Sequence, residues 1–246
     1  MFAFAPIDGA AGAAFVVVTA LAELFTPLAG AAATAVAIVL FTVLVRLLIS
    51  PLSWAQIRGQ QRQAALAPQL RTLQERHAGD PVRLRTEMTA LYREAGTTPL
   101  AGCLPALLQA PFFFVMYRLF TTPTVNGTGN SLLGERLFGV PLGQHLAVGL
   151  GGGAALLFGT LFAALAVLAW LTSRRMRRTS AASSGTAGSG AAAAIGRALP
   201  LLPYTVLVAA AVLPLAADLY LLTTTAWTVL EQGYLRRRGP APTRTG

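Results

Sequence analysis

The sequence predicts an all-α membrane protein: five transmembrane helices around a hydrophilic groove, with a cytoplasmic helical hairpin and an N-terminal interfacial helix. Three observations predict it. Of 246 residues, 54% are hydrophobic and only 11% charged. Mean hydropathy is +0.60, a balance found in chains with several membrane spans. The apolar residues gather into runs of about 20, enough to cross a ~30 Å hydrocarbon core. The net charge of +10 comes from arginine with no lysine, and most arginines fall between the apolar runs.

Residues 1–28 hold an apolar stretch, 10–28, that carries Glu23 and ends near Pro27. It is short, acidic and abuts the next run, so it reads as a helix lying in the interface, with a short span as the alternative. Asp8, Glu23 and the lack of basic residues argue against a removable signal peptide. The first span is 29–52. Residues 53–98 form the long polar segment. Leu66, Leu70 and Leu73, then Leu84, Met88 and Leu91, recur at helical spacing. Gly79-Asp80-Pro81 between them reads as a turn, with Asp80 as N-cap and Pro81 in the first helical position. Two helices packed as an antiparallel hairpin follow. Arg58, Arg62, Arg71, Arg76, Arg83, Arg85 and Arg93 give it a basic, solvated surface.

The second span is 99–121. Pro105 and Pro111 make it irregular, which neighbouring helices can accommodate. Gln109 within it either faces the groove or bonds another helix, and Arg118 near its end reads as snorkelling outward. Residues 122–145 form a turn-rich loop with a short apolar piece, Leu137 to Leu142. The third span is 146–171, where Gly151 to Gly153 suit close helix packing. No Gly-Lys-Ser/Thr follows them, so they are not a phosphate loop. Arg174, Arg175, Arg177 and Arg178 open a basic flexible linker, 172–198, rich in Ala, Ser and Gly. Residues 199–235 exceed one span and are punctuated by Pro214 and Asp218. They read as two spans, 199–215 and 218–235, with Asp218 capping the last helix at the turn. Residues 236–246 are a basic tail.

The arginines set the orientation. They crowd into 53–98, 172–198 and the tail, whereas 122–145 holds Arg136 alone. Five spans put the three basic segments in the cytoplasm, with the N-terminus outside and the C-terminus inside a bacterial plasma membrane.

Much chemistry is excluded. His77 and His145 lie outside the spans, and the single cysteine, Cys103, allows no internal disulfide or paired-cysteine metal site. No catalytic dyad, nucleotide motif, metal site or cofactor site is expected, and the chain does not read as an enzyme. The polar residues within the spans are Thr42, Arg46, Gln109, Asp218, Tyr220 and Thr223 to Thr225. Arg46 stands out. An arginine at membrane depth costs about 2.5–3.5 kcal/mol, and chains that keep one usually hold a partner or a wet cavity for it. Snorkelling is the alternative, although Leu47, Leu48, Ile49 and Leu52 continue the apolar run past it. Thr42 lies one turn earlier on the same face. Tyr220, near the turn, reads first as an interface anchor. On this chemistry a transporter and an insertase both remain open.

The order of residues goes further. TVLVRLLISPLSWAQ is followed by the basic hairpin, and then by Tyr92, Pro99, Leu100, Gly102, Cys103, Pro105, Gln109 and Pro111. This pattern resembles the YidC family of membrane protein insertases, which has mitochondrial and chloroplast relatives. The resemblance covers about 36–122 densely and 199–238 more loosely. It implies a five-span core whose groove opens to cytoplasm and lipid and is closed to the outside. Arg46 is then the groove arginine, Thr42 its neighbour and Tyr220 a groove tyrosine, with Gln109 a further groove candidate. The implied partners are nascent membrane proteins, with a Sec-type translocon, the ribosome and anionic lipids as further candidates. No specific nucleic-acid sequence is implied. Two positions depart from the pattern. The turn reads Pro-Leu-Ala-Ala from Pro214 where relatives often have Pro-Ser-Gly, and Thr225 stands where many have Asn. The rival reading is a small multi-span transporter or channel for an anionic solute, but no internal repeat supports it.

Overall fold

The computed structural model describes residues 5–96, 114–125, 128–146, 151–181 and 199–238. Helix α1, Ala5–Ala29, leads through a tight turn at Gly30–Ala32 into α2, Ala33–Ala65. Gly30 sits at φ +51°, a left-handed backbone that glycine adopts without Cβ strain. The chain doubles back there, and α1 packs along α2. Ala14, Val18 and Ala22 of α1 join Ala35, Ala37 and Ile38 of α2 in one core. The α1 positions recur every four residues and so share one face, and the alanines on both helices let them approach closely.

The helix expected to lie in the interface at 10–28 is packed lengthwise against α2. Its residues 10 to 17 share a cavity with residues 41 to 49 of α2. Residue 10 therefore lies at the depth of Arg46, not at the turn end of the pair.

Helix α2 also runs further than the expected span 29–52. It continues through Pro51 to Ala65, because hydropathy marks where lipid ends, not where a helix ends. After α3, Ala67–Arg76, comes α4, Pro81–Glu94. Asp80 caps α4 as its position predicts, its carboxylate accepting from the Arg83 N–H at 3.0 Å. His77 Nε2 lies 3.0 Å from Glu87 Oε2 across the hairpin.

Of the expected second span, the described part is helix α5, residues 114–121. Gln109 and both span prolines lie outside the described residues. The loop after α5 holds two short antiparallel pairs. β1, Thr124–Val125, pairs with β2, Thr128–Gly129, and β3, Arg136–Leu137, pairs with β4, Val140–Pro141. Leu132, Leu137, Val140 and Leu142 are buried beneath it. Asn130 fixes the loop to α5, its Nδ2 donating to the Leu119 carbonyl at 2.6 Å.

Helix α6, Gly153–Ala181, carries Arg174, Arg175 and Arg177 on its own last turns. The basic residues expected to open a flexible linker at 172 are therefore helical as far as 181. The last segment begins as a 3-10 turn, Leu199–Tyr204, and continues as α7, Thr205–Val212, and α8, Leu215–Arg238. The break falls at Leu213-Pro214. The 128–146 loop closes over it: the Leu215 N–H donates to the Gln144 carbonyl and the Ala216 N–H to the Leu142 carbonyl, both at 2.9 Å.

Asp218 does not cap α8. It sits inside the first turn, fully buried, and neither carboxylate oxygen has a hydrogen-bond partner. The backbone N–H groups of residues 217 and 218 are taken by the Pro214 carbonyl instead.

The bundle buries Ile38, Leu119, Phe120, Phe158, Leu165 and Leu215 at its centre. Its outer faces are apolar as well, with Leu28, Leu48, Leu156 and Val212 at least 70% exposed. Apolar residues on both the inside and the outside are what a lipid solvent permits and water does not. Gly9–Trp54 and Gly153–Arg177 contain stretches long and apolar enough to cross a membrane.

Candidate functional site

Arg46 reaches across the bundle to α8. Its Nε donates to Thr224 Oγ1 at 2.8 Å, and its Nη2 donates to the Thr224 carbonyl at 3.2 Å. The same carbonyl also accepts from the Thr228 hydroxyl at 2.9 Å. Hydrogen bonds from a charged donor are the stronger kind. The snorkelling alternative is therefore not the conformation adopted. The guanidinium turns inward, and the side chain is part-buried.

Around it lies a cavity of about 290 Å³ between α1, α2, α5 and α8. Thr42, Arg46, Tyr220 and Thr224 supply the polar part of its wall. Ala10, Ala13, Ala14 and Val17 of α1, Phe41, Val45 and Ile49 of α2, and Val115 and Met116 of α5 supply the apolar part. The wall is thus a polar stripe on an apolar surface, less hydrophilic than the sequence led one to expect. α1 forms one whole side of it.

Each expected residue has a definite place. Thr42 is buried, and its hydroxyl donates to the Ile38 carbonyl of its own helix at 2.7 Å. Tyr220 is buried on the same cavity wall and lies within electrostatic reach of Arg46, as does Glu231. The structure therefore brings Arg46, Thr42 and Tyr220 together, while Gln109 lies outside the described residues. Thr224 is the residue that sequence reasoning did not single out. It stood within the Thr223 to Thr225 run, and only the rotation of α8 decides which threonine faces α2. The four-residue step from Tyr220 to Thr224 was the available signal.

The backbone beneath Arg46 is also unusual. The Ser50 hydroxyl donates to the Arg46 carbonyl at 3.1 Å. Pro51, next in the helix, has no N–H to give the Leu47 carbonyl. The helix that carries the arginine is thus weakly bonded just beyond it.

Comparison with known proteins gives a consistent answer. Residues 25–242 match the model of the family described as 60Kd inner membrane protein. Among curated proteins, the chain is similar to the membrane protein insertase YidC of Helicobacter pylori strain ATCC 700392 / 26695, with 43% identity over 83 residues. That stretch is 34% of this chain and 15% of the relative. The protein of the same name from Chlorobium limicola is 42% identical over 83 residues, 34% of this chain and 14% of the relative. The one from Pelodictyon phaeoclathratiforme is 34% identical over 122 residues, 45% of this chain and 21% of the relative. The matched stretch spans about a fifth or less of those relatives' length. The family match covers most of this chain, from the end of α1 through α8, and on it the chain belongs to the 60Kd inner membrane protein family, the YidC-type family that its sequence resembles.

Proposed function

We propose that this membrane protein is an insertase, which helps nascent membrane proteins enter the bilayer through the cavity lined by Arg46, without nucleotide hydrolysis. One observation carries the reading: the guanidinium is held inside the bundle by Thr224, on the wall of a cavity that borders apolar helix faces. A polar segment cannot cross hydrocarbon unaided, because each unsatisfied backbone group costs several kcal/mol. A cavity reaching part of the way shortens that path. Arg46 attracts acidic residues of the crossing segment, and the apolar span of the client then moves into lipid, driven by burial of its apolar surface. The apolar side of the cavity suits that exit.

In this reading the family core crosses at 29–52, 99–121, 146–171 and twice within 199–235. The 53–98 hairpin, the 172–198 segment and the basic tail face the cytoplasm, where arginine-rich surfaces meet the ribosome, a Sec-type translocon or anionic lipid. The lengthwise packing of α1 supports an N-terminus on the hairpin side, in place of the outside position that five spans alone suggested. The transporter reading is supported by no specific observation.

The test is site-specific photocrosslinking from position 42 or 46 to a ribosome-bound membrane protein chain. Adducts that appear as the client's span emerges are expected. Their absence, with adducts forming only from lipid-facing positions such as Leu48, would refute the reading.

A further inference from the structure

A second cavity, of about 450 Å³, lies between Arg46 and the hairpin end of the bundle. It is lined by Ser50, Pro51 and Trp54 of α2 and by Trp227, Leu230, Glu231 and Tyr234 of α8. Two polar atoms in it are buried without a hydrogen-bond partner among the described residues, Glu231 Oε1 and Trp227 Nε1. Orphaned buried polar atoms are uncommon, and each calls for a ligand or a reason. Here an orphaned acidic oxygen sits among three aromatic rings. That combination, a carboxylate beside ring faces, recognises a cation.

We propose that this cavity binds an arginine or lysine side chain from the segment of a client that flanks its membrane span. The assignment rests on the insertase reading and names the chemistry of its second contact. Charge complementarity selects the occupant. Arg46 lies one turn from Ser50 and two from Trp54 along α2 and repels a cation, whereas Glu231 attracts one. The two sites then sort a client by charge: acidic residues go to the guanidinium, and basic flanking residues are retained at Glu231, on the hairpin side. A retained basic flank is what leaves positive charge on the cytoplasmic side of a finished span.

Binding can be read without insertion. In a W170F background the remaining tryptophans, Trp54 and Trp227, both line the cavity. The protein is placed in nanodiscs of zwitterionic lipid and titrated with a short apolar peptide amide carrying two arginines, while its tryptophan emission is followed. Saturable change is expected with this peptide and not with its two-glutamine counterpart. E231Q weakens it about tenfold, and E231D restores part of it, the range expected for a partly desolvated cation among aromatic rings. Thermal melting of each variant checks that it is folded. Equal response to both peptides, or no change in a folded E231Q variant, would overturn the proposal. No saturable change in the W170F protein, with its insertion activity intact, refutes this site alone, and binding without insertion refutes the insertase reading alone.

Discussion

Replacing Arg46 by alanine removes the two hydrogen bonds to Thr224, at 2.8 and 3.2 Å. It also removes the only positive charge that the described residues place on the wall of the first cavity. The two losses have different readouts. Without its charged donor Thr224 still bonds locally, because Thr228 already donates to its carbonyl. The stability change is therefore expected to be modest, about 1–3 kcal/mol for the lost pair. The functional loss is larger. An acidic client residue about 4 Å from the guanidinium is attracted by roughly 4 kcal/mol at an effective dielectric near 20, and by about 1 kcal/mol where water fills the gap. Between those limits the insertion of a client with acidic outer residues falls by about 5-fold to several hundred-fold. Arg46→Lys keeps the charge and loses only the fork, so it retains most activity. The assay is protease protection of a single-span client in proteoliposomes, run beside a client whose outer acids are changed to amides. Thr224→Val is the control: it removes the hydroxyl that orients Arg46 and leaves the charge. Equal yields of the acidic client with wild type and a folded Arg46→Ala variant would refute the reasoning.

Three further outcomes follow from particular contacts. Cysteines at positions 42 and 46, with Cys103 replaced, should react slowly with a polar thiol reagent while α1 walls the cavity. They should react severalfold faster when residues 1–24 are deleted, and equal rates would show that α1 does not cover them. Asp218→Leu should raise the thermal midpoint, because it removes a buried side chain whose two oxygens are unpartnered among the described residues, and such groups cost about 1–3 kcal/mol or more. A lowered midpoint would show that the carboxylate holds something in place. Asp80→Ala should loosen the start of α4 by about 1 kcal/mol through loss of its cap, read as faster amide exchange at residues 82–84, and unchanged exchange would count against it.

That Arg46 needs a partner or a cavity was legible in the sequence because a single charge in an apolar run has an energetic penalty to explain. Its direction was not, since the same arginine could snorkel or turn inward, and the choice lies with Thr224, 178 residues away. The cap at Asp80 was legible because capping is local. The place of α1 was not: an Ala-rich helix suits an interface and a close-packed pair equally well, and the φ +51° turn at Gly30 decides between them. The cap expected of Asp218 failed because the Pro214 carbonyl had already taken the neighbouring N–H groups. The ends of α2 and α6 were hidden for a different reason. Both helices outlast their apolar stretches, and nothing in hydropathy records that.

Helix α2 is continuous over 33 residues, about 50 Å at 1.5 Å per residue, with the turn at Gly30 at one end and the basic hairpin at the other. It is a shaft with one soft joint, where Pro51 leaves the Leu47 carbonyl without its helical donor. A load applied to the hairpin, such as the docking of a large particle, bends the shaft first at that joint. Arg46 stands on the near side of it, Trp54 on the far side. Flexing there changes the spacing between Arg46 and the aromatic wall beside Glu231, so a load at the hairpin is transmitted to both cavities at once.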